Sequence, residues 1–542
     1  MSEVTQIFVY TLQFLNLLYC LVEPPQTGVL HTVVETMSIV SFDIVSQDGG
    51  RPFHPAFWWI DGKGGEVKWG FEKLGFVSRK AANVLTGPCG LQRGDRVILI
   101  LPRIPEWWML TVACIRTGIT FIPGTPQLTA KDIQYRLQVS KAKGIITNDS
   151  LAPVVETVSS SCPSLQTKVL VSESRREGWQ HFKAHNCVQT QSDEPMVIFF
   201  TSGTTGSPKM AEHSQTSLAL GLTLSGRDWL DFKPSDVMWN MSDTGWVKGS
   251  MGGVFGPWLR GTSVFVHSMP QFDPKEVLKV RIIHPNHWGN VFRPLNMVDS
   301  TSLSHCSTGG EPMNPEVVSQ WKKQTGLQLY EGYGQTEVGM ITANQKGKPV
   351  KLGSMGTAAP PYEVQIVDED GKILPHGQEG DIAIRIKPKR PFSFFSHYDN
   401  PEKNSAVVRG NFYITGDRGW MDEDGYFWFV GRSDDVIISS GYRIGPFEVE
   451  SALIEHPAVV ESAVVSSPDI VRREVVKAFV VLSPEFASHN PEKLTRELQD
   501  HVKKVTAPYK YPRKVEFVQE LPKTISGKIR RNELRKWEWG EI

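Results

Sequence analysis

The sequence carries no net charge: 58 Lys and Arg balance 58 Asp and Glu over 542 residues. No bulk positive field draws in a polyanion, so nucleic acid is not an expected partner. Cysteine is scarce. The six (Cys20, Cys89, Cys114, Cys162, Cys187, Cys306) are scattered, with no C-x-x-C pair and no Cys/His cluster. That argues against structural zinc and points to a reducing compartment. No Lys or Arg occurs before Arg51, so the start fits neither the positive head of a secretory signal nor an arginine-bearing mitochondrial transit peptide. Long apolar runs are lacking too. Residues 7–22 (IFVYTLQFLNLLYCLV) are short for a membrane span and are interrupted by Gln13 and Asn16, so no firm span is expected. A signal-like segment, an unusual anchor and a start unrelated to the fold all stay open for them.

What is present is globular. The hydrophobic share is 40% and the charged share 21%, ordinary for a packed protein, and the length favours more than one domain. Sixteen Trp suit either the walls of a large apolar ligand site or, more commonly, plain core.

The stretch Thr201-Ser202-Gly203-Thr204-Thr205-Gly206-Ser207-Pro208-Lys209 follows an apolar run, residues 196–200, that reads as a buried strand. Its glycines let several amide N–H groups turn inward together, its hydroxyls donate to anionic oxygens, and its lysine adds a point charge. Such a loop suits a polyphosphate. It is not a Walker A loop, because Pro208 precedes Lys209 where that motif has Gly-Lys-Ser/Thr.

Along the chain, residues 55–68 read as two short strands around a glycine turn. Strands at 95–101, 120–123, 144–147, 168–171 and 196–200 alternate with helices at 71–85, 105–118 and 131–142, the pattern of a parallel sheet covered on both faces. Strands at 237–239 and 264–266 flank the polar turn Ser242–Trp246, and a helix spans 315–324. From Gly356 strands dominate: 363–367, 381–386 and 426–430. The polar break GRSDD at 431–435 suits a linker. Beyond it lies a compact α+β unit with a helix at 446–456, strands at 459–466, 475–482 and 514–518, and a helix over 494–505 whose Leu494, Leu498, Val502 and Val505 share one face.

Five ordered motifs, TSGTTGSPK, EGYGQTE, YITGDRG, GRSDDVIISSGYRIGP and LPKTISGK, resemble the adenylate-forming (ANL) superfamily over about residues 50–542. KMAEHS, SDTGW, GLQRGDRV, PEWW and TAPYKYPRK are similar to its medium-chain acyl-CoA synthetase branch, with acetyl-CoA synthetases the nearest neighbours. The resemblance implies an α/β fold with a large N-terminal domain (51–433) of parallel sheets covered by helices plus a β-rich subdomain. A small mobile C-terminal α+β domain (434–542) follows, and residues 1–50 are an atypical N-terminal extension.

The implied reaction joins a small carboxylic acid to ATP as an acyl-adenylate, releasing pyrophosphate, and then passes the acyl group to the thiol of CoA. Thr201, Ser202, Gly203, Thr204, Thr205, Gly206, Ser207, Pro208 and Lys209 are then the phosphate loop. Glu337 holds Mg²⁺, and Thr336 meets the α-phosphate and the substrate. Gly309, Gly310, Glu331, Gly332, Tyr333 and Gly334 form an adenine slot, Gln335 belongs to the same ATP site, Asp417 takes the ribose, and Arg432 touches the ribose or a phosphate. Lys528 promotes adenylation. Asp434 is the hinge for a swing of the small domain. Gln127, Ser440, Gly441, Tyr442, Arg472, Pro512, Arg513 and Lys514 meet CoA, and Arg443 lies near the substrate.

The pattern departs from the family at residues 289–306, where Gly289-Asn290-Val291 lacks an expected Gly-x-Pro. A family member that binds nucleotide without turnover is therefore an alternative, as is an enzyme that hands its acyl group to a carrier-protein thiol. The family's usual home is the mitochondrial matrix; a cytoplasmic location is the alternative.

Overall fold

A computed structural model describes residues 55–172, 174–181, 195–201, 209–269, 305–391, 394, 397–398, 407–440, 442–523 and 528–541. Residues 7–22, most of the phosphate loop (202–208), Gly441, residues 524–527 and nearly all of the departing segment 289–306 lie outside them.

An eight-stranded sheet runs in the order His397–Tyr398, Lys209–Ser214, Pro195–Thr201, Thr120–Gly124, Arg96–Ile100, Gly144–Asn148, Thr167–Val171, Gln180–His181. The six strands from Pro195–Thr201 to Gln180–His181 are parallel. Side chains alternate across a strand, so each of the five from Pro195–Thr201 to Thr167–Val171 feeds two cores. Val97, Leu99, Phe121, Val197 and Phe199 enter one; Ile98, Ile100, Ile122, Ile198 and Phe200 enter the other. Helices Phe71–Thr86 and Pro105–Thr117 close the first through Leu74, Leu85, Trp107 and Leu110, and helices Ala130–Ser140 and Ala152–Ser159 close the second through Ile133, Leu137 and Val155. Trp107, Trp108 and Trp258 are core, which favours the plainer use of tryptophan. Pro105 opens its helix with a missing N–H that costs nothing there, and left-handed Gly118 (φ 66°) closes it.

A four-stranded sheet pairs Val237–Trp239, Ser263–His267, Phe57–Ile60 and Glu66–Trp69 in that order. A nine-stranded sheet is antiparallel except for its first pair, Cys306–Gly309 with Leu329–Gln335. The chain leaves that sheet at Arg432 and joins a separate five-stranded sheet at Ile437. Gly431 and Arg432, read from sequence as part of a polar break, still belong to the strand Tyr426–Arg432. The turn comes after them.

The five-stranded sheet packs Val464, Val476, Ala478 and Val480 against Leu494, Leu498 and Val502 of helix Pro491–Val505. Val505 does not join them. At the helix end it is 44% exposed, because the chain turns off at Thr506 before the last turn meets the sheet. The far side of the sheet is closed by Leu534 of helix Arg531–Glu538, packed with Ala463, Val465, Phe479 and Leu521.

Candidate active site

The strands Pro195–Thr201 and Lys209–Ser214 are antiparallel neighbours with Thr201 opposite Lys209, so the phosphate loop joins their ends. Thr201 Oγ1 also donates to the Lys209 carbonyl at 3.5 Å. Four residues past Lys209, His213 is buried, and its Nε2 lies 2.6 Å from the carbonyl oxygen of Thr336. A carbonyl only accepts, so Nε2 carries the proton. Burial pushes the imidazole pKa down to about 4, so the ring is neutral at neutral pH. His213 thus ties the strand after the phosphate loop to the Thr336–Glu337 turn. The sequence reading did not single it out, although it lies within the quoted KMAEHS.

Strand Leu329–Gln335 carries the EGYGQ motif, and strand Phe412–Met421 crosses nearby with Asp417 opposite Arg432. Asp417 is 4% exposed. Its Oδ2 accepts from the Tyr333 hydroxyl at 2.6 Å and from Gln335 Nε2 at 2.9 Å, and its Oδ1 accepts from Arg432 Nη1 at 2.9 Å. Gln335 also donates to the Thr415 carbonyl at 2.7 Å and accepts from the Tyr413 hydroxyl. A carboxylate has about four acceptor positions. Three are used, and the one left, on Oδ1, is available to a hydroxyl. Burial, and then the Asp417 charge, push the Tyr333 phenol well above its ordinary pKa, which keeps it a donor. Burial disfavours the Arg432 cation, but the charges of Asp417 and Asp434 together outweigh it and the guanidinium pKa rises.

The glycines of the expected adenine slot divide into two kinds. A Cβ on Gly309 would meet the Gly332 carbonyl at 2.4 Å, one on Gly332 would meet Met340 Sδ and Trp229 Cζ2 at 2.8 Å, and one on Gly334 would meet the Gly339 carbonyl at 2.1 Å. These three are small so that protein packs on protein. Gly310 differs: its φ is +110° and a Cβ there would meet nothing within 4 Å. It alone faces open space. Glu331 is buried, and burial raises its carboxyl pKa to about 7; it accepts from the Met313 amide at 3.2 Å and so braces the turn that follows Gly310.

Lys528 comes from the C-terminal unit, yet its Nζ donates to the Gly310 carbonyl at 2.9 Å and lies 3.7 Å from Glu311. Near the turn between the two units, Arg535 Nη1 donates to the Asp434 carbonyl at 3.1 Å and to Asp435 Oδ1 at 2.7 Å.

The residues expected at CoA gather elsewhere. Ser440 (φ +50°) donates its amide to the Arg472 carbonyl at 3.5 Å, and the neighbouring residues Ser439 and Arg473 are paired across strands. Tyr442 stacks on Tyr509 with centroids 4.3 Å apart. The Lys514 ammonium donates to Ser467 Oγ and the Pro468 carbonyl, Arg513 donates to the Tyr511 hydroxyl, and the Pro512 carbonyl accepts from Gln499. Arg443 pairs with Glu369 at 3.2 Å. Among the described residues, none of Ser440, Tyr442, Arg472, Arg513 or Lys514 is hydrogen-bonded or ion-paired to the strands that carry Gly309 and Tyr333. Gln127 is exposed just beyond strand Thr120–Gly124. In this pose Lys528, not the group of residues expected at CoA, lies against the expected adenine slot at Gly310.

The sequence profile of the AMP-binding enzymes matches residues 46–388, and that of the AMP-binding enzyme C-terminal domain matches 448–528. The chain is 66% identical over 509 residues to the human mitochondrial acyl-coenzyme A synthetase ACSM4, covering 91% of this chain and 88% of that protein. It is 59% identical over 512 residues to human mitochondrial ACSM3, covering 91% and 87%. Among solved structures, an anthranilate CoA ligase, AuaEII, in complex with anthranoyl-AMP superposes with a TM-score of 0.80 at 28% identity, covering 92% of this chain and 97% of that one. Two matched profiles in chain order, and close identity along nine-tenths of the length, place this protein in the AMP-binding enzyme family as an acyl-coenzyme A synthetase of the ACSM group.

Proposed function

We propose that the site activates a medium-chain fatty acid in two steps. Its carboxylate attacks the α-phosphate of ATP to give an acyl-adenylate and pyrophosphate, and the CoA thiolate then displaces AMP to give the thioester. The enzyme is an acid–thiol ligase of the ACSM group, and the mitochondrial names of these relatives make the mitochondrion its home. Nothing supports the alternative of a binder without turnover.

One observation carries the assignment of roles: the Lys528 ammonium lies on the Gly310 carbonyl, at the one glycine of the slot that faces open space. Charge builds on phosphoryl oxygens in the adenylation transition state, and a placed ammonium stabilises it there. Asp417 takes the ribose through its remaining acceptor position, Arg432 supports it, and the loop 201–209 holds the outer phosphates. Glu337, in the turn His213 braces, is the candidate Mg²⁺ ligand. Among the described residues no three His, Cys, Asp or Glu side chains gather into a metal cluster. A single protein carboxylate ligand fits an ion that draws its other ligands from phosphates and water. Bound there, the ion would neutralise phosphate charge.

For the second step the unit at 434–542 turns about Asp434, removing Lys528 and bringing Ser440, Tyr442, Arg472 and Arg513 with CoA. The experiment is a panel of carboxylates from acetate to palmitate, plus benzoate. Acid-dependent pyrophosphate release followed by CoA-dependent AMP release, strongest in the medium range, is the expected result. Acid-dependent release with no response to CoA would move the enzyme to a carrier-thiol acceptor.

A further inference from the structure

The turn at Gly309–Gly310 receives two ammonium groups. Lys528 Nζ donates to the Gly310 carbonyl at 2.9 Å, and Lys248 Nζ donates to the Gly309 carbonyl at 3.2 Å. They arrive from opposite sides of the linker turn, Lys528 from the small unit and Lys248 from the large one. We propose, building on the adenylation reading above, that Lys248 is a fixed cation that binds the carboxylate of the fatty acid and sets it against the α-phosphate.

Three features separate Lys248 from an ordinary surface lysine. Its backbone has little room to move. A Cβ on the next residue, Gly249, would lie 2.1 Å from the Asp243 carbonyl, one on Gly253 would lie 2.2 Å from Asn240 Nδ2, and one on Gly245 would lie 2.5 Å from the Thr125 amide. The Lys248 carbonyl itself accepts from Asn240 Nδ2 at 2.9 Å. The segment is therefore jammed against the end of a central parallel strand, and it continues as a π-helix, Lys248–Phe255, a form often found at functional sites. Secondly, no carboxylate lies within 4.0 Å of this ammonium among the described residues. It has three donors, and Gly309 uses one. Thirdly, Lys248 keeps contact with solvent, but the protein packed around it desolvates the charge and lowers its pKa. An anion arriving beside it would restore what the missing water does not supply.

The chemistry calls for such a group. Adenylation presses a carboxylate against a phosphate of the same sign, and two like charges that close repel. Lys528 belongs to a unit that must leave for the second step. A cation on the large unit can take the acid before closure and hold it through it.

The test uses the full chain with Lys248→Met and Lys248→Arg, read by acid-dependent ATP–pyrophosphate exchange. Its second readout is inhibition by the neutral primary amide of the preferred fatty acid. Lys248→Met is expected to raise the KM for the acid about tenfold or more, as loss of a charge-assisted hydrogen bond does. The KM for ATP and the amide inhibition constant should hold within about twofold, and the arginine variant should recover part of the loss. A methionine variant that still prefers acid over amide as strongly as wild type overturns the proposal. So does one that loses acid and amide equally, since that marks a support for the turn. No acid-dependent exchange in the unsubstituted enzyme would overturn the adenylation reading itself, and this proposal with it.

Discussion

Two charged groups, Asp417 and Lys528, both assigned to the nucleotide in the proposed reaction, are held in opposite ways. Asp417 is 4% exposed and accepts from three side chains on two other strands. The Lys528 side chain is 46% exposed, donates to the Gly310 backbone carbonyl and lies 3.7 Å from Glu311. The first arrangement is built before substrate arrives, and its donors would be stranded without it. The second is half-exposed, so water can take over the ammonium's hydrogen bonds when the lysine is withdrawn. A site that binds one nucleotide through two different chemical steps needs both: a fixed corner for the part that stays, and a removable charge for the part that changes.

The largest effect that would test this contrast is at the lysine. Lys528→Ala should slow acyl-adenylate formation about 10²–10³-fold, the cost of one preorganised donor in a transition state. It should leave folding stability and thioester formation from supplied acyl-adenylate nearly unchanged. Equal loss in both half-reactions would erase the distinction between the two corners.

Asp417→Ala should show the opposite signature. It strands the Tyr333 hydroxyl, a Gln335 amide and the Arg432 guanidinium, so unfolding free energy should fall by about 3 kcal/mol while the KM for ATP rises. Tyr333→Phe removes only one of the three donors and should cost about 1–2 kcal/mol. Urea unfolding of both variants beside wild type reads this; a fully stable alanine variant would mean that the corner is not wired as described.

A pH experiment sharpens the same point at the brace. His213 has its pKa pushed from 6.5 to about 4 by burial. The unfolded chain therefore binds more protons at this position, and the folded state is disfavoured as pH falls. The stability present above about pH 6.5 should be lost progressively down to about pH 4, on the order of 3 kcal/mol at most. His213→Gln keeps a donor for the Thr336 carbonyl and cannot titrate. The difference in stability between the two proteins should shrink or reverse across that window, as followed by thermal unfolding at stepped pH; a constant difference would show that the imidazole already titrates as in water.

Much of this was legible in the chain itself where the information is local. Strand alternation and apolar runs placed the parallel strands Arg96–Ile100, Thr120–Gly124, Gly144–Asn148, Thr167–Val171 and Pro195–Thr201, because each strand's burial depends on its own side chains. They did not place Lys209–Ser214, Leu329–Gln335, Gly339–Ala343, Ser354–Ala358 or Phe412–Met421, whose polar and glycine-rich residues carry no such run. The helix Pro491–Val505 shows the limit: Leu494, Leu498 and Val502 are buried as their spacing demands, and Val505, on the same stripe, is left outside because the partner surface ends. Glycine was legible as small but not as small for what. Gly309, Gly332 and Gly334 make room for neighbouring protein, and only Gly310 faces open space. The groups missed altogether act over long separations. His213 meets Thr336 across 123 positions and Lys248 meets Gly309 across 61. Neither lies at a spacing that marks a pair.

The order of residues alone determined which chemical groups this protein owns: a hydroxyl- and glycine-rich loop, the carboxylates of Glu337 and Asp417 within their motifs, and a lysine near the end. Those motifs are contiguous, so their chemistry can be read without folding them. Only the tertiary structure decided which groups meet. Lys528 reaches Gly310 across 218 positions, and Tyr333 reaches Asp417 across 84. Such pairings depend on how sheets stack and where one unit rests on another, and no short window of sequence records either.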